Sequence, residues 1–83
     1  MNKLQAIVLY DAKANTYSSP FFSPTTEAAK RDFGLLCNDG KSLQSQFPAD
    51  FDLYLVGEYD TFTAVFRPVD RVHLANGVDV KIN

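Results

Sequence analysis

Cysteine and histidine each occur once, as Cys37 and His73, and tryptophan does not occur at all. A single cysteine excludes an intramolecular disulfide. One cysteine and one histidine cannot supply the several nitrogen and sulfur ligands of a structural zinc site, so no metal centre is expected. Glycine is sparse, with four residues. No glycine-rich phosphate loop or dinucleotide fingerprint occurs, and no cofactor is expected. Positive charge is scarce too: eight Lys and Arg stand against ten Asp and Glu, for a net charge of −2 and a pI of about 5.1. Affinity for nucleic acid normally comes from neutralising phosphates. Any such role here must use a local patch against an adverse overall balance. Long apolar runs are also lacking. Met1-Asn2-Lys3 leads into "LQAIVLY", too short for a signal peptide or a membrane span. The expectation is a cytosolic protein with a reduced thiol and no membrane partner.

What the chain does have is aromatic and apolar side chains. Its 83 residues are 46% hydrophobic and include seven Phe and four Tyr. That supports a folded core and reads as one domain over residues 1–83. A domain this small is marginal alone. With no disulfide or metal to reinforce it, a second copy is the expected support, giving a homodimer.

The hydrophobic pattern predicts the elements. "KLQAIVLYDAK" reads as a strand covered on both sides, because Leu4, Ala6, Val8 and Tyr10 share one face while Ile7 and Leu9 occupy the other. It fades between Asp11 and Thr16. Prolines 20 and 24 hold "PFFSP" to an extended or turning path. Thr25 is a helix N-cap, with Glu27 in the first turn. Ala29, Phe33 and Leu36 recur at helical spacing, widened by Ala28 and Leu35, and "NDG" at 38–40 stops the helix. Gly34 offers a close approach to the sheet. In the loop that follows, Leu43 and Phe47 are expected to tuck inward.

"FDLYLVGEYDTFTAVFRPV" carries the clearest signal. Phe51, Leu53, Leu55, Gly57 and Tyr59 alternate with Asp52, Tyr54, Val56 and Glu58. A turn at Asp60-Thr61 leads to Phe62, Ala64 and Phe66, and Pro68 closes this second strand. The pattern predicts an antiparallel hairpin. Asn76-Gly77 signals a turn, and "VDVKI" stands open as a short last strand. The fold class is α+β: a three- to four-stranded, mostly antiparallel sheet with one packed helix, in the order β-α-β-β with that final β in addition.

Two readings compete for the aromatics. Phe21 and Phe22 either cap the core where the chain enters the helix, or offer ring faces to unpaired bases beside a cation. Tyr10, Tyr17, Tyr54 and Tyr59 offer such faces as well. The candidate nucleic-acid contacts are Lys13, Tyr17, Phe21, Phe22, Arg67 and Arg71. Arg67 and Arg71 face less local acid than Lys30-Arg31, which Glu27 and Asp32 flank. Tyr54, Val56 and Val65 make a half-apolar patch on the hairpin, a candidate dimer interface. His73 has no Ser or Cys beside it in "RVHLA", Cys37 reads as buried and inert, and no catalytic residue is expected.

Taken in order, these segments resemble a known family. Asp11, Lys13, Ala14 and Tyr17 are followed by Pro20-Phe21-Phe22 and a helix. Asn38-Asp39 comes next, then Pro48, Asp50, Phe51 and Leu53, and then Gly57, Tyr59 and Asp60, with "LANG" near the end. The set is similar to the small non-structural protein of gokushoviruses, single-stranded-DNA phages of the Microviridae, over roughly residues 4–77. "GKSLQSQ" and the short turn at Asp60-Thr61 depart from that pattern. The resemblance implies expression in the cytoplasm of an infected bacterium and a role in genome replication or packaging. The preferred mechanism is binding of single-stranded DNA. The alternative is a factor that binds phage or host replication proteins and never touches DNA.

Overall fold

The computed structural model describes residues 2–82. Nine elements follow in order: β1 (Lys3–Asp11), β2 (Thr16–Tyr17), β3 (Phe21–Ser23), α1 (Thr26–Cys37), α2 (Leu43–Gln46), a 3-10 turn (Pro48–Asp50), β4 (Phe51–Asp60), β5 (Phe66–Asn76) and α3 (Gly77–Val80). The five strands form one antiparallel sheet in the order β2-β1-β4-β5, with β3 also on β1. The expected three or four strands with a single helix are thus corrected, among the described residues, to five strands with three helices and a 3-10 turn. The domain is a small α+β layer pair.

β1 is central, as its two-sided apolar pattern predicts. One edge pairs with β4 along its length, and the other takes β2 at Tyr10-Asp11 and β3 at Gln5–Ile7. β2 and β3 are two ends of one interrupted strand. Ser18 bridges the interruption: its N–H donates to the Leu9 carbonyl, and its hydroxyl accepts from the Leu9 N–H. Pro20 could not have donated to the ladder, so the interruption falls where the chemistry requires it. β3 and β4 both run antiparallel to β1, and α1 crosses between them with β1 in the gap.

The helix starts at the predicted cap, where the Thr25 hydroxyl accepts from the Ala28 N–H at 3.0 Å. It buries Ala29, Phe33 and Cys37 against Ile7, Phe51, Leu53 and Ala75 of the sheet. Leu35 is 67% exposed and does not widen the stripe. Gly34 faces α3: a methyl group there would lie 3.7 Å from the Val80 Cβ. The expected approach of Gly34 to the sheet is therefore corrected to an approach to the C-terminal segment. Burial raises the pKa of the fully buried Cys37 thiol, and the Lys81 ammonium offsets part of that rise.

Four further expectations are corrected. "VDVKI" is not a strand: residues 77–80 form a short helix closed by a reciprocal Asn76–Asp79 capping box. Pro68 does not end a strand, and Phe62 does not begin one. Residues 61–65 form the turn, and β5 runs through Pro68 to Asn76. Proline is tolerated because β5 is an edge strand with one side unpaired. Leu43 and Phe47 do not tuck inward but are 59% and 54% exposed. The alternation of β4 also breaks, with consequences for the site described below.

The C-terminal segment is pinned to the end of α1. The Asn38 side chain donates to the carbonyls of Gly34 (2.7 Å) and Val80 (2.9 Å) and accepts from the Ile82 N–H (2.8 Å). The Lys81 ammonium donates to the Cys37 carbonyl at 3.0 Å, where a cation also suits the helix dipole. Removing the amide with Asn38→Ala breaks three bonds and leaves partly buried carbonyls unpaired. A thermal melt should show a loss of about 2 kcal/mol. Exposed Leu35→Ala should stay within about 0.5 kcal/mol of the parent.

Candidate nucleic-acid interface

The helix layer covers one face of the sheet; the strand register assigns the side chains on the other. Direct cross-strand partners in an antiparallel pair share a face. Val8 pairs with Tyr54, Tyr10 with both Asp52 and Tyr17, and Tyr54 with His73. All of these lie opposite the core residues Ile7, Leu53 and Ala75. Between Ile7↔Leu55 and Ala6↔Gly57, β4 carries one extra residue, Val56. A bulge of this kind inverts the side-chain phase of everything beyond it. Phe51, Leu53 and Leu55 face the helix, as predicted, but Gly57 and Tyr59 do not. They turn to the uncovered face, where Tyr59 meets Phe22 with ring centroids 5.7 Å apart. Glu58 moves the other way. It takes ion pairs at 3.9 Å from both Lys3 and Arg67 on the helix side of the sheet.

The bulge therefore adds Tyr59 and its cross-strand partner Phe66 to Tyr10, Tyr17, Phe22 and Tyr54, giving six rings on one uncovered face. They fall into two clusters. In the first, Tyr10 and Tyr17 have centroids 4.7 Å apart, Tyr17 and Tyr54 6.1 Å, and Tyr54 and His73 5.2 Å. In the second, Phe22 meets Tyr59, and Phe66 pairs with Tyr59 while its ring lies over Gly57. A side chain at Gly57 would strike that ring: its Cβ would sit 2.5 Å from the Phe66 Cζ. The glycine is the floor on which the second cluster rests. Ala6 and Val8 are small or medium residues buried beneath the rings. Tyr17, Phe22 and Phe66 remain between 43% and 48% exposed.

Arg71 is the basic side chain that the described residues bring onto this face. Its guanidinium lies 4.8 Å from the centre of the Tyr54 ring and 5.6 Å from that of Tyr17, and it donates to the Tyr17 hydroxyl. His73 Nε2 is 2.8 Å from Asp52 Oδ1, which also accepts from the Asn76 amide. That carboxylate orients the imidazole at the end of the first cluster.

The structure divides the other sequence candidates. Phe21 and Phe22 point to opposite faces, since Phe21 pairs with Ile7 and lines a cavity with Phe33, Leu36 and Leu53 beside the helix. Neither Phe21 nor Phe22 is fully buried. Arg67 is separated from Arg71 by the thickness of the sheet. Lys13 sits in the 12–15 turn and lines a cavity of about 250 Å³ with Asp11, Leu43, Phe47, Asp50 and Phe51, away from the ring clusters. Tyr54, Val56 and Val65 do not converge. Tyr54 is on the ring face, Val56 is the bulged residue, and Val65 lines a cavity with Lys3, Glu58 and Arg67. Sequence reasoning missed Phe66 and His73 as members of the ring face. The run of Phe62, Ala64 and Phe66 gave no sign that the strand starts only at Phe66.

Several motif residues prove to be turn builders. Asp11 Oδ1 accepts from the N–H groups of Lys13 and Ala14, and Asn15 adopts a left-handed φ of 57°. Asp60 Oδ1 accepts from the N–H groups of Phe62 and Thr63. These carboxylates shape the two loops that flank the strands carrying the rings. Among the described residues no group of three His, Cys, Asp or Glu is placed to hold a metal ion, and no helix is long and apolar enough to cross a membrane.

Comparison with known proteins places the chain. It belongs to the phage ORF5 protein family, whose sequence profile matches residues 4–80. It is similar to Protein ORF5 of Chlamydia phage 1, a gokushovirus of the Microviridae, at 36% identity over 66 residues, covering 75% of this chain and 69% of that protein. No solved structure matches. The molecule is a small phage protein, and the residues matched by the family profile, 4–80, include every ring of the uncovered face.

Proposed function

We propose that the ring face binds single-stranded DNA, and that the protein acts through it in replication or packaging of the phage genome. The observation that supports this reading is the collection of six aromatic side chains on one uncovered sheet face with Arg71 lodged among them. Unpaired bases stack on such rings without regard to sequence, and each stacked base contributes roughly 1–3 kcal/mol. Bases inside a duplex present no free face, so the surface favours a single strand.

Charge has a minor part in this recognition. Arg67 and Lys3 are tied to Glu58 on the far side, and the chain is acidic overall. With one or two phosphates contacted, the logarithm of affinity should fall against that of salt concentration with a slope on the order of −1. Fluorescence anisotropy of a labelled twelve-nucleotide oligothymidine over a salt series tests this. The expected result is binding with a shallow slope and weak competition from duplex. Absence of binding at low salt would remove the reading.

A second reading uses a different surface, for a protein. The net charge of −2 and the exposed Leu43 and Phe47 beside Asp11, Asp50 and Lys13 favour contact with a phage or host replication protein. A homodimer is part of our proposal as well. The outer edge of β5 is exposed, although Arg67, Pro68, Asp70 and Arg71 along it oppose simple strand pairing with another copy. Sedimentation equilibrium with and without the oligonucleotide measures the assembly state.

A further inference from the structure

We infer that Arg71 occupies, in the free protein, the place of a nucleobase, and that binding of a single strand exchanges the two. This rests on the single-strand reading above and adds a role that no motif in the sequence carries. The Tyr17 and Tyr54 rings meet edge to face with centroids 6.1 Å apart, forming an elbow whose Tyr17 side is 43% exposed. The Arg71 guanidinium fills that elbow, 4.8 Å and 5.6 Å from the two ring centres. A guanidinium is a flat, delocalised cation close to a small base in thickness, and it satisfies an aromatic face in the same way. The two cannot share the elbow.

Arg71 has a second partner to move to. Its side chain is exposed, is held by no carboxylate among the described residues, and donates to the Tyr17 hydroxyl. A phosphate accepts the same fork of N–H donors with opposite charge. A strand that puts a base on Tyr54 carries a phosphate to the rim of the elbow. The ligand class that fits is therefore a nucleotide unit of a single strand, base and phosphate together. A free nucleoside lacks the group that draws the arginine away. On the opposite side of the sheet Arg67 is already paired with Glu58.

The test compares the parent with Arg71→Ala, Arg71→Lys and Tyr54→Ala in oligothymidine binding across a salt series, with melts to confirm folding. Arg71→Ala uncovers the rings and removes one phosphate contact. The slope of log affinity against log salt should become shallower by about 0.7, and binding at high salt should equal or exceed that of the parent. Arg71→Lys should keep the parent slope. Tyr54→Ala should lower affinity at every salt with the slope unchanged. If Arg71→Ala binds with the parent slope, or loses affinity equally at all salts, the arginine stays on the rings and the exchange is refuted. If the parent itself fails to bind, the single-strand reading falls first and takes this inference with it.

Discussion

Gly77→Ala is expected to lower the melting temperature by roughly 10–20 °C. Gly77 is buried at the start of α3, and a Cβ built on it would sit 2.2 Å from the Pro48 carbonyl oxygen and 2.8 Å from the Pro48 Cα. Both atoms are backbone and cannot swing aside as a side-chain end could. Relief would require the 3-10 turn at Pro48–Asp50 and the start of α3 to part, and several bonds resist this. The Asn76 amide donates to the carbonyls of Ala49 (3.1 Å) and Phe51 (3.2 Å) and to the Asp52 carboxylate (3.0 Å), while its side-chain oxygen accepts from the Val78 N–H. Adding one methyl group thus strains a junction where the end of β5, α3 and the entry to β4 meet. Overpacking ordinarily costs about 1–3 kcal/mol, and an immobile backbone neighbour puts this site at the upper end. Gly40→Ala is the informative control. Nothing lies within 4 Å of its would-be Cβ, but its φ of +77° is left-handed. It should lose only about 1 kcal/mol, from backbone conformation alone.

The contrast between these two glycines shows what sequence can and cannot reveal. Asn76-Gly77 reads as a turn, but the sequence does not say whether its glycine is needed for conformation or for room. Gly77 has no positive φ, and the need comes from Pro48, twenty-nine positions away. Local signals served well where the physics is local. Thr25 caps α1 and Ala29 and Phe33 bury it, as the helical period predicts. Phe51, Leu53 and Leu55 face the core, as strand alternation predicts. The failures share a cause. A bulge at Val56 costs the sequence no change of letter pattern, because alternation continues unbroken on paper while the pairing partner slips by one residue. Everything past it, including Tyr59 and Glu58, moves to the opposite face. Pro68 signals a strand end by propensity, but an edge position with one unpaired side removes the penalty. "VDVKI" has the valines of a strand, yet the Asn76–Asp79 capping box three residues apart decides for a helical turn. Phe21 and Phe22, read as a pair in the sequence, divide between the two faces because β3 is a strand, whose neighbouring residues point opposite ways.

The bulge completes the ring face with Tyr59 and Phe66, but Tyr54, on the regular part of β4, is its central member and the sharpest place to test it. Tyr54→Ala should weaken oligothymidine binding by about 5- to 150-fold, the equivalent of one stacked base at roughly 1–3 kcal/mol. Tyr54 lies between Tyr17 and His73, carries the Arg71 guanidinium at 4.8 Å and pairs across to Val8, so no other ring touches as many members of the face. Its removal leaves the second cluster of Phe22, Tyr59 and Phe66 standing, so binding should fall without vanishing. Phe22→Ala should give a similar loss by an independent route. The double variant should approach the product of the two because the clusters share no contact. Tyr54→Phe keeps the ring and should bind like the parent, separating stacking from hydrogen bonding. Phe62, 80% exposed at the hairpin tip, provides the comparison for a ring outside the face, and Phe62→Ala should change affinity less than twofold. If Tyr54→Ala folds and binds as tightly as the parent while Phe62→Ala does not, the strand runs over the hairpin tip. The rings of the uncovered face would then serve packing alone.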